Sequence, residues 1–222
     1  MQQLLLAIAP QPAPTLENFV AGRNDELVAT LRQFAAGNAG ERFIYLWGEA
    51  GSGKSHLLAA CRAAAQEHGF KPFLGHAANT WDGGSPALLD DVERLDEAGQ
   101  IDLFNLYNRL RDEGGSLLAS GTTPPAQLAV RPDLATRLGW GLVFRVHSLN
   151  DEEKSAALEA HAQQRGFALP PEISAYLLRH WRRDLPSLIA ALDALDRHSL
   201  ERQRPVSVPL LREVLAHADT NR

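Results

Sequence analysis

The chain has 222 residues, of which 45% are hydrophobic, enough for one large domain or two small ones with a proper core. Its single cysteine, Cys61, excludes a disulfide framework and a cysteine-based zinc cluster, and the net charge of −5 excludes a surface that attracts phosphate backbones all over. The longest apolar run, Leu4 to Ala9, is too short to span a bilayer, and no basic residue precedes it as in a signal peptide. We therefore expect a cytoplasmic protein without a membrane segment.

Residues 1–14 are predicted to form an exposed tail, because the proline-rich stretch Pro10 to Pro14 disfavours helix and is stiff. Residues 15–148 then alternate short apolar segments with helical patterns. This alternation predicts an α/β core with a parallel sheet covered on both faces. The predicted strands are Arg42–Trp47, Lys71–Gly75, Ala87–Asp90, Ser116–Ser120 and Leu142–Val146, and the predicted helices include Asp25–Phe34, Lys54–His68 and Asp102–Asp112.

After residue 148 the pattern predicts helices only. Asn150 and Glu153 have the spacing of a capping box with asparagine in the cap role. Pro171 marks a further helix start, and residues 183–195 carry apolar side chains at helical spacing. We therefore expect an all-helical lid domain over residues 149–222.

The segment Gly48-Glu49-Ala50-Gly51-Ser52-Gly53-Lys54-Ser55 follows a predicted strand and opens a predicted helix, as a phosphate-binding P-loop requires. Glycines let backbone N–H groups turn inward onto phosphate oxygens, and the following helix adds its positive end. We expect Lys54 on the β- and γ-phosphates of ATP or ADP, and the Ser55 hydroxyl on Mg²⁺. An accidental glycine turn has roughly one chance in a thousand at this chain's residue frequencies. The residues expected to bind nucleotide here are Gly48, Gly51, Ser52, Gly53, Lys54, Ser55 and His56.

A second acidic motif, Leu88-Leu89-Asp90-Asp91-Val92-Glu93, has the form of a Walker B segment. Asp90 is expected to hold Mg²⁺, and Asp91 to polarise the attacking water, since phosphoryl transfer needs an acceptor behind the γ-phosphate. The alternative is a solvated acidic turn. The position of the motif, one strand after the P-loop unit, favours metal binding.

The sequence resembles the DnaA branch of the AAA+ ATPases over nearly its whole length, and especially the short regulatory members of that branch. Besides the two motifs above, the resemblance is carried by the segments Leu16–Asn24, Phe104–Arg109, Ser120–Pro125 and Pro132–Gly141. It implies an AAA+ core with a five-stranded parallel sheet and a helical lid. It also implies that the first of these segments, with Phe19 and Val20, lies at the adenine side of the nucleotide.

The resemblance assigns roles to three more side chains. Arg137 would project into a neighbouring subunit's nucleotide site and neutralise charge on the transferring phosphoryl group; otherwise it would be a surface arginine paired with Asp133. Arg183 resembles the sensor 2 arginine that reports the nucleotide state, with Arg182 as an alternative and a charged helix face as the simpler interpretation. Thr122 stands at sensor 1, where family members often carry an acid, so we expect weak intrinsic hydrolysis.

The tail is similar to the short glutamine-plus-aliphatic peptides that dock onto the sliding clamp of the DNA polymerase. The glutamine amide would fix the register while aliphatic side chains fill an apolar pocket. The alternative is a frayed terminus that merely contains leucines. The residues expected to bind the clamp are Gln3, Leu4, Leu6 and Ile8.

The resemblance implies a regulator of replication initiation rather than an initiator. Initiators of this branch continue past the lid into a helix-turn-helix domain, which residues 149–222 do not provide, so we expect no sequence-specific DNA binding. The segment His76 to Pro86 is shorter than the corresponding insertion of initiators, and its consequence stays open. We expect the chain to pair with ATP-loaded DnaA and promote hydrolysis there, either as a free homodimer or as a monomer that assembles only with DnaA. The alternatives are a DnaA-like adaptor or helicase loader and, less favoured, a metabolic kinase.

Overall fold

A computed structural model describes residues 13–220, except for the side chains of Ala78 and residues 217–220. The described residues divide into two compact units, residues 13–148 and residues 149–220. The four tail residues predicted to bind the clamp lie outside the described residues.

The first unit is built on a five-stranded parallel sheet with the strand order β2-β3-β4-β1-β5. Central β1 pairs with β4 on one side, Trp47 opposite Gly121, and with β5 on the other. The carboxyl ends of β1, β3 and β4 therefore meet at one edge of the sheet. The strands are β1 (Phe43–Trp47), β2 (Phe73–Leu74), β3 (Ala87–Leu89), β4 (Leu117–Gly121) and β5 (Leu142–Arg145).

Helices cover both faces of this sheet, and β1 shows why. Its side chains alternate, so that Ile44 and Leu46 lie in one buried cluster while Phe43 and Tyr45 lie in another. The first cluster contains side chains of α1 and α2, and the second contains side chains of α3 and α4. The helices of this unit are α1 (Asp25–Ala35), α2 (Lys54–Glu67), α3 (Glu97–Glu113) and α4 (Pro132–Leu138).

Several predicted boundaries differ from those in the structure. Helix α3 begins at Glu97 rather than at residue 102, because the Asp96 carboxylate accepts a hydrogen bond from the Gly99 N–H and caps the helix. Strand β2 has only two residues and pairs with β3 alone at one edge of the sheet. Strand β3 ends at Leu89, so the following Asp90 lies beyond the strand.

The second unit is all-helical, with its own core centred on side chains such as Leu158, Leu177 and Leu192. The capping box is present: the Asn150 side chain accepts from the Glu153 N–H, and the Asn150 N–H donates to the Glu153 carboxylate. The predicted fold class, a five-stranded parallel α/β core followed by a helical lid, is confirmed. Among the described residues, no helix is long and apolar enough to cross a membrane. The helices of this unit are α5 (Asp151–Gln164), α6 (Pro171–His180), α7 (Leu185–Arg202) and α8 (Val208–Thr220).

Candidate nucleotide-binding site

The glycine loop between β1 and α2 adopts a conformation that side chains would obstruct. Gly51 and Gly53 have φ of +78° and +102°, in the region that favours glycine. A Cβ on Gly48 would lie 2.6 Å from the Val146 carbonyl oxygen, so the chain passes too close to the end of β5 for any other residue. Glycines therefore set the path of the loop, as the motif predicts.

Lys54, the first residue of α2, folds back over this loop. Its side chain is buried, and its ammonium donates to the carbonyl oxygens of Gly48 at 2.8 Å and Glu49 at 3.1 Å. The buried Ser52 hydroxyl has no hydrogen-bond partner among the described residues, while Ser55 is exposed. A buried ammonium and an unpartnered hydroxyl beside a helix N-terminus suit an anionic ligand with several oxygens.

The segment before α1 packs against the same loop. The Phe19 ring lies 5.5 Å from the ring of His56 on α2, and the His56 imidazole contacts the Thr15 carbonyl oxygen at 3.1 Å. A Cβ on Gly53 would lie 2.7 Å from the Phe19 ring, so the ring sits directly over the loop. Val20 is 37% exposed. The structure thus brings Phe19 and His56 to the P-loop, next to a partly exposed Val20.

Asn24, which sequence reasoning did not single out, ties this segment to the sheet. Its side chain is 3% exposed and bridges three backbone groups. The amide donates to the carbonyl oxygens of Ala21 at 2.8 Å and His147 at 2.9 Å, and its oxygen accepts from the His147 N–H at 2.8 Å. Asn24 and His147 are 123 positions apart, so no local sequence pattern reveals their contact.

The acidic motif after β3 holds its two carboxylates differently. The Asp90 carboxylate accepts from the hydroxyl of fully buried Ser120 on β4 and from the Asp91 N–H. Asp91 adopts φ +50°, a left-handed conformation that aspartate tolerates, and its exposed carboxylate lies 3.3 Å from Arg94. Sequence reasoning missed Ser120, although its position at a neighbouring strand end is the signal that could have identified it.

The end of β4 is packed tightly around Gly121. A Cβ there would lie 2.1 Å from the Tyr45 hydroxyl, which donates to the Thr123 carbonyl oxygen, and 2.9 Å from the Glu93 carboxylate. Burial raises the pKa of Tyr45, and the nearby Glu93 raises it further. The backbone on both sides of exposed Thr122 is therefore held in place, which fixes the sensor 1 position relative to the acidic motif.

The predicted Mg²⁺ site, at Ser55 and Asp90, can be compared with the ligands that this ion prefers. Within the part of the chain that the structure describes, no group of three histidine, cysteine or acidic side chains could hold a metal ion. Mg²⁺ needs no such group, because it keeps several waters and uses one or two carboxylates plus substrate phosphates. A single carboxylate at Asp90 and an exposed hydroxyl at Ser55 fit that requirement.

Arg137, at the end of α4, is held by aromatic rings. Its guanidinium carbon lies 3.9 Å from the centre of the Trp140 ring and 5.4 Å from that of Phe104. The Asp133 carboxylate pairs with Arg131, at 2.9 Å, rather than with Arg137. Among the side chains that the structure describes, Arg137 has no ion-pair partner, and its buried Nε has no hydrogen-bond partner. The ion pair with Asp133 that the alternative interpretation invokes is therefore not formed, and the role of Arg137 in a neighbouring subunit's site stays a prediction.

The predicted sensor arginine lies in the lid unit. Arg183 precedes α7 and forms an exposed ion pair with Asp151 at the start of α5. An exposed ion pair of this kind contributes little to stability, so Arg183 can release Asp151 and bind another anion at low cost. Arg183 as a nucleotide sensor, with neighbouring exposed Arg182 as the alternative, stays a prediction.

Two families of known proteins match parts of this chain. Residues 11–72, which include the Phe19 segment and the P-loop, match the bacterial DnaA ATPase domain. Residues 151–215 match the lid domain of Hda.

Solved structures share the fold. Domain III of the replication initiation protein DnaA from Thermotoga maritima is 19% identical, with 93% of this chain and 97% of that chain covered, at a TM-score of 0.73. AMPPCP-bound DnaA from Aquifex aeolicus is 23% identical, with 86% and 67% covered, at a TM-score of 0.69. A Thermotoga maritima RuvB variant is 13% identical, with 93% and 72% covered, at a TM-score of 0.68.

These identities show the fold, and the two family matches place its P-loop region and its lid. Together with the sheet order and the loop geometry, they identify the chain as a DnaA-like AAA+ protein close to Hda.

Proposed function

We propose that this protein is a DnaA-related regulator of replication initiation that binds ATP or ADP with Mg²⁺ and promotes hydrolysis of ATP bound to DnaA. The observation that carries the proposal is the state of Arg137. An arginine without an ion pair among the described residues, held at the surface by an exposed tryptophan, has donors free for an anion on another molecule. Such an arginine adds positive charge where negative charge spreads over a transferring phosphoryl group.

Nucleotide binding by this chain rests on the glycine loop. Lys54 would exchange the carbonyls of Gly48 and Glu49 for phosphate oxygens, and the Ser52 hydroxyl would gain the partner it lacks among the described residues. Phe19 and Val20 would cover the adenine side. The AMPPCP-bound DnaA structures, which share this fold, support an adenine nucleotide as the ligand.

Hydrolysis by the chain itself is proposed to be weak. The metal would neutralise phosphate charge, with Ser55 and Asp90 as the side chains that hold it. Ser120 donates to Asp90 and so orients that carboxylate. Asp91 would be the base that orients water, but its carboxylate is paired with Arg94, and the sensor 1 position would offer a Thr122 hydroxyl in place of an acid. The nucleotide then serves mainly to set the shape that meets DnaA.

Two further contributions are proposed from outside this core. Arg183 would give up its exposed pair with Asp151 and contact the nucleotide, which couples the lid to the nucleotide state. The tail residues Gln3, Leu4, Leu6 and Ile8 would bind the sliding clamp. Tethering by the tail raises the effective concentration of Arg137 near DnaA without any new contact. Hydrolysis would convert DnaA from its ATP form and so prevent re-initiation.

The test loads DnaA with labelled ATP and measures phosphate release after adding this protein, with and without DNA-loaded clamp. We expect release that depends on both components. The double variant Gln3→Ala with Leu6→Ala should lose clamp binding and clamp-dependent release while keeping its thermal stability. Lys54→Ala should lose nucleotide affinity and release together. No stimulation under any of these conditions would contradict the proposal and favour the adaptor or helicase loader, for which binding to a helicase without clamp affinity is the expected finding.

A further inference from the structure

Trp140 lies two residues beyond the end of α4, and we propose that it positions Arg137 to contact the phosphates of the nucleotide bound to the partner molecule. The inference rests on the proposed function of Arg137 and adds Trp140 as a residue that positions the Arg137 side chain. Trp140 is 55% exposed, so its ring lies at the surface of the protein beside the Arg137 guanidinium.

The contact between the two side chains is close. The guanidinium carbon of Arg137 lies over the Trp140 ring at 3.9 Å from its centre, whereas five other arginine–aromatic contacts of the described residues have distances of 5.3 to 5.9 Å. Tryptophan has the most favourable ring for a cation. A guanidinium that lies over an aromatic face is held by the π electrons of the ring, so the contact requires no carboxylate or carbonyl partner.

The backbone under Trp140 is fixed, so the ring is a firm support. The Trp140 N–H donates to the Arg137 carbonyl oxygen at 3.1 Å, which continues the turn beyond α4. The next residue, Gly141, runs so close to β1 that a Cβ would lie 2.0 Å from the Phe43 carbonyl oxygen. Strand β5 begins one residue later. The turn therefore has little freedom to carry Trp140 away from Arg137.

This arrangement suits an arginine that must act on another molecule. A guanidinium paired with a carboxylate would have to give up that pair before it could bind phosphate, as Arg131 would with Asp133. A free arginine would have to lose its side-chain freedom instead. Trp140 restricts Arg137 in advance and leaves the outer donors available, which is preorganisation for transition-state charge.

The experiment compares Trp140→Ala, Trp140→Phe and Arg137→Ala with the full-length protein in the DnaA hydrolysis assay. As a matched control, Leu200→Ala removes an exposed apolar side chain from the lid unit. We expect Trp140→Ala to lower the maximal stimulated rate about tenfold without raising the half-saturating concentration of the protein, and Trp140→Phe to recover most of the loss. Arg137→Ala should lose about a thousandfold.

A second measurement does not depend on DnaA. The Nε–H signal of Arg137 in a nitrogen–proton NMR spectrum, assigned by its absence from Arg137→Lys, reports how firmly the guanidinium is held. We expect slow solvent exchange of this proton in the native protein and in Leu200→Ala, and fast exchange in Trp140→Ala.

An unchanged Nε–H signal in Trp140→Ala would overturn the inference. So would a loss of activity that comes wholly from a raised half-saturating concentration, because Trp140 would then be a contact residue for DnaA. If the native protein and Arg137→Ala are equally inactive, the proposed function fails, and the exchange rate of the Nε–H proton alone decides whether Trp140 positions the arginine.

Discussion

Asn24→Ala is expected to destabilise the first unit by about 2 to 3 kcal/mol. The substitution removes three hydrogen bonds, each with a net worth of roughly 0.5 to 1.5 kcal/mol. Ala21 and His147 are only half-buried, so water can hydrogen-bond to part of their backbone groups once the Asn24 side chain is removed. The loss in the free energy of unfolding is therefore expected in the lower part of the sum of the three contributions. The anchor of the Phe19 segment is lost at the same time, so nucleotide affinity should fall too.

Asn24→Asp separates hydrogen bonding from side-chain size. The carboxylate still accepts from the His147 N–H but faces the carbonyl oxygens of Ala21 and His147 at distances that were 2.8 and 2.9 Å. At pH 7.5 this repulsion should make Asn24→Asp less stable than Asn24→Ala. The same repulsion raises the folded-state pKa of the introduced carboxyl above its unfolded value of about 3.9. Its protonated form therefore favours folding, and the stability of the variant should fall as pH rises from 4.5 to 7.5.

The assay is urea unfolding of each variant, followed by amide exchange of the His147 N–H in water. A midpoint about 1 M lower for Asn24→Ala is expected, at a slope of roughly 2 kcal/mol per molar urea. Asn38→Ala, at an exposed asparagine of the same unit, is the matched control. A loss of less than 0.5 kcal/mol for Asn24→Ala, or equal stability of the two variants at pH 7.5, would refute the reasoning.

Two other predictions concern the loop and the helix that follows it. Gly53→Ala should weaken nucleotide binding at least tenfold in calorimetry, because φ of +102° and a Cβ 2.7 Å from Phe19 both oppose it. Adding Phe19→Ala relieves only the second effect, so complete recovery in the double variant would contradict the assignment. Burial raises the pKa of the Cys61 thiol to about 12, so iodoacetamide should leave it unmodified at pH 8 in the folded protein and label it in urea. Because the pKa of the thiol is higher in the folded state, its contribution to stability should persist below pH 9 and disappear as the pH rises toward 12. If iodoacetamide labels the folded protein as fast as the unfolded protein, Cys61 is not buried.

The sequence predicts those parts of the fold that local chemistry determines. The P-loop is recognisable because glycines, a lysine and a serine must follow one another between a strand and a helix. The capping box at Asn150 is equally local. Asn24 and Ser120 escaped prediction because their partners, His147 and Asp90, are distant in sequence. The pairing of β3 with β4 brings Ser120 beside Asp90, whereas Asn24 contacts His147 because the segment before α1 packs against the chain beyond the end of β5.

The surroundings of Arg137 show a second limit of prediction from sequence. Asp133 lies four positions before it, the spacing of a helical ion pair, so a bond between them is a reasonable expectation. In the structure the Asp133 carboxylate instead accepts two hydrogen bonds from the Arg131 guanidinium. Two side chains compete for one carboxylate, and sequence spacing does not decide between them.

The most direct test of the central claim compares Arg137→Ala with Arg131→Ala in clamp-dependent phosphate release from ATP-loaded DnaA. Both are arginines at or beside α4, but only Arg131 is paired with Asp133 among the described residues. We expect Arg137→Ala to abolish release while keeping clamp binding. We expect Arg131→Ala to stay within about threefold of the native rate, because it loses only a half-exposed ion pair. If Arg137→Ala releases phosphate from ATP-loaded DnaA at the native rate, the proposed role of Arg137 is wrong, because the positive charge on the partner's nucleotide must then come from another residue.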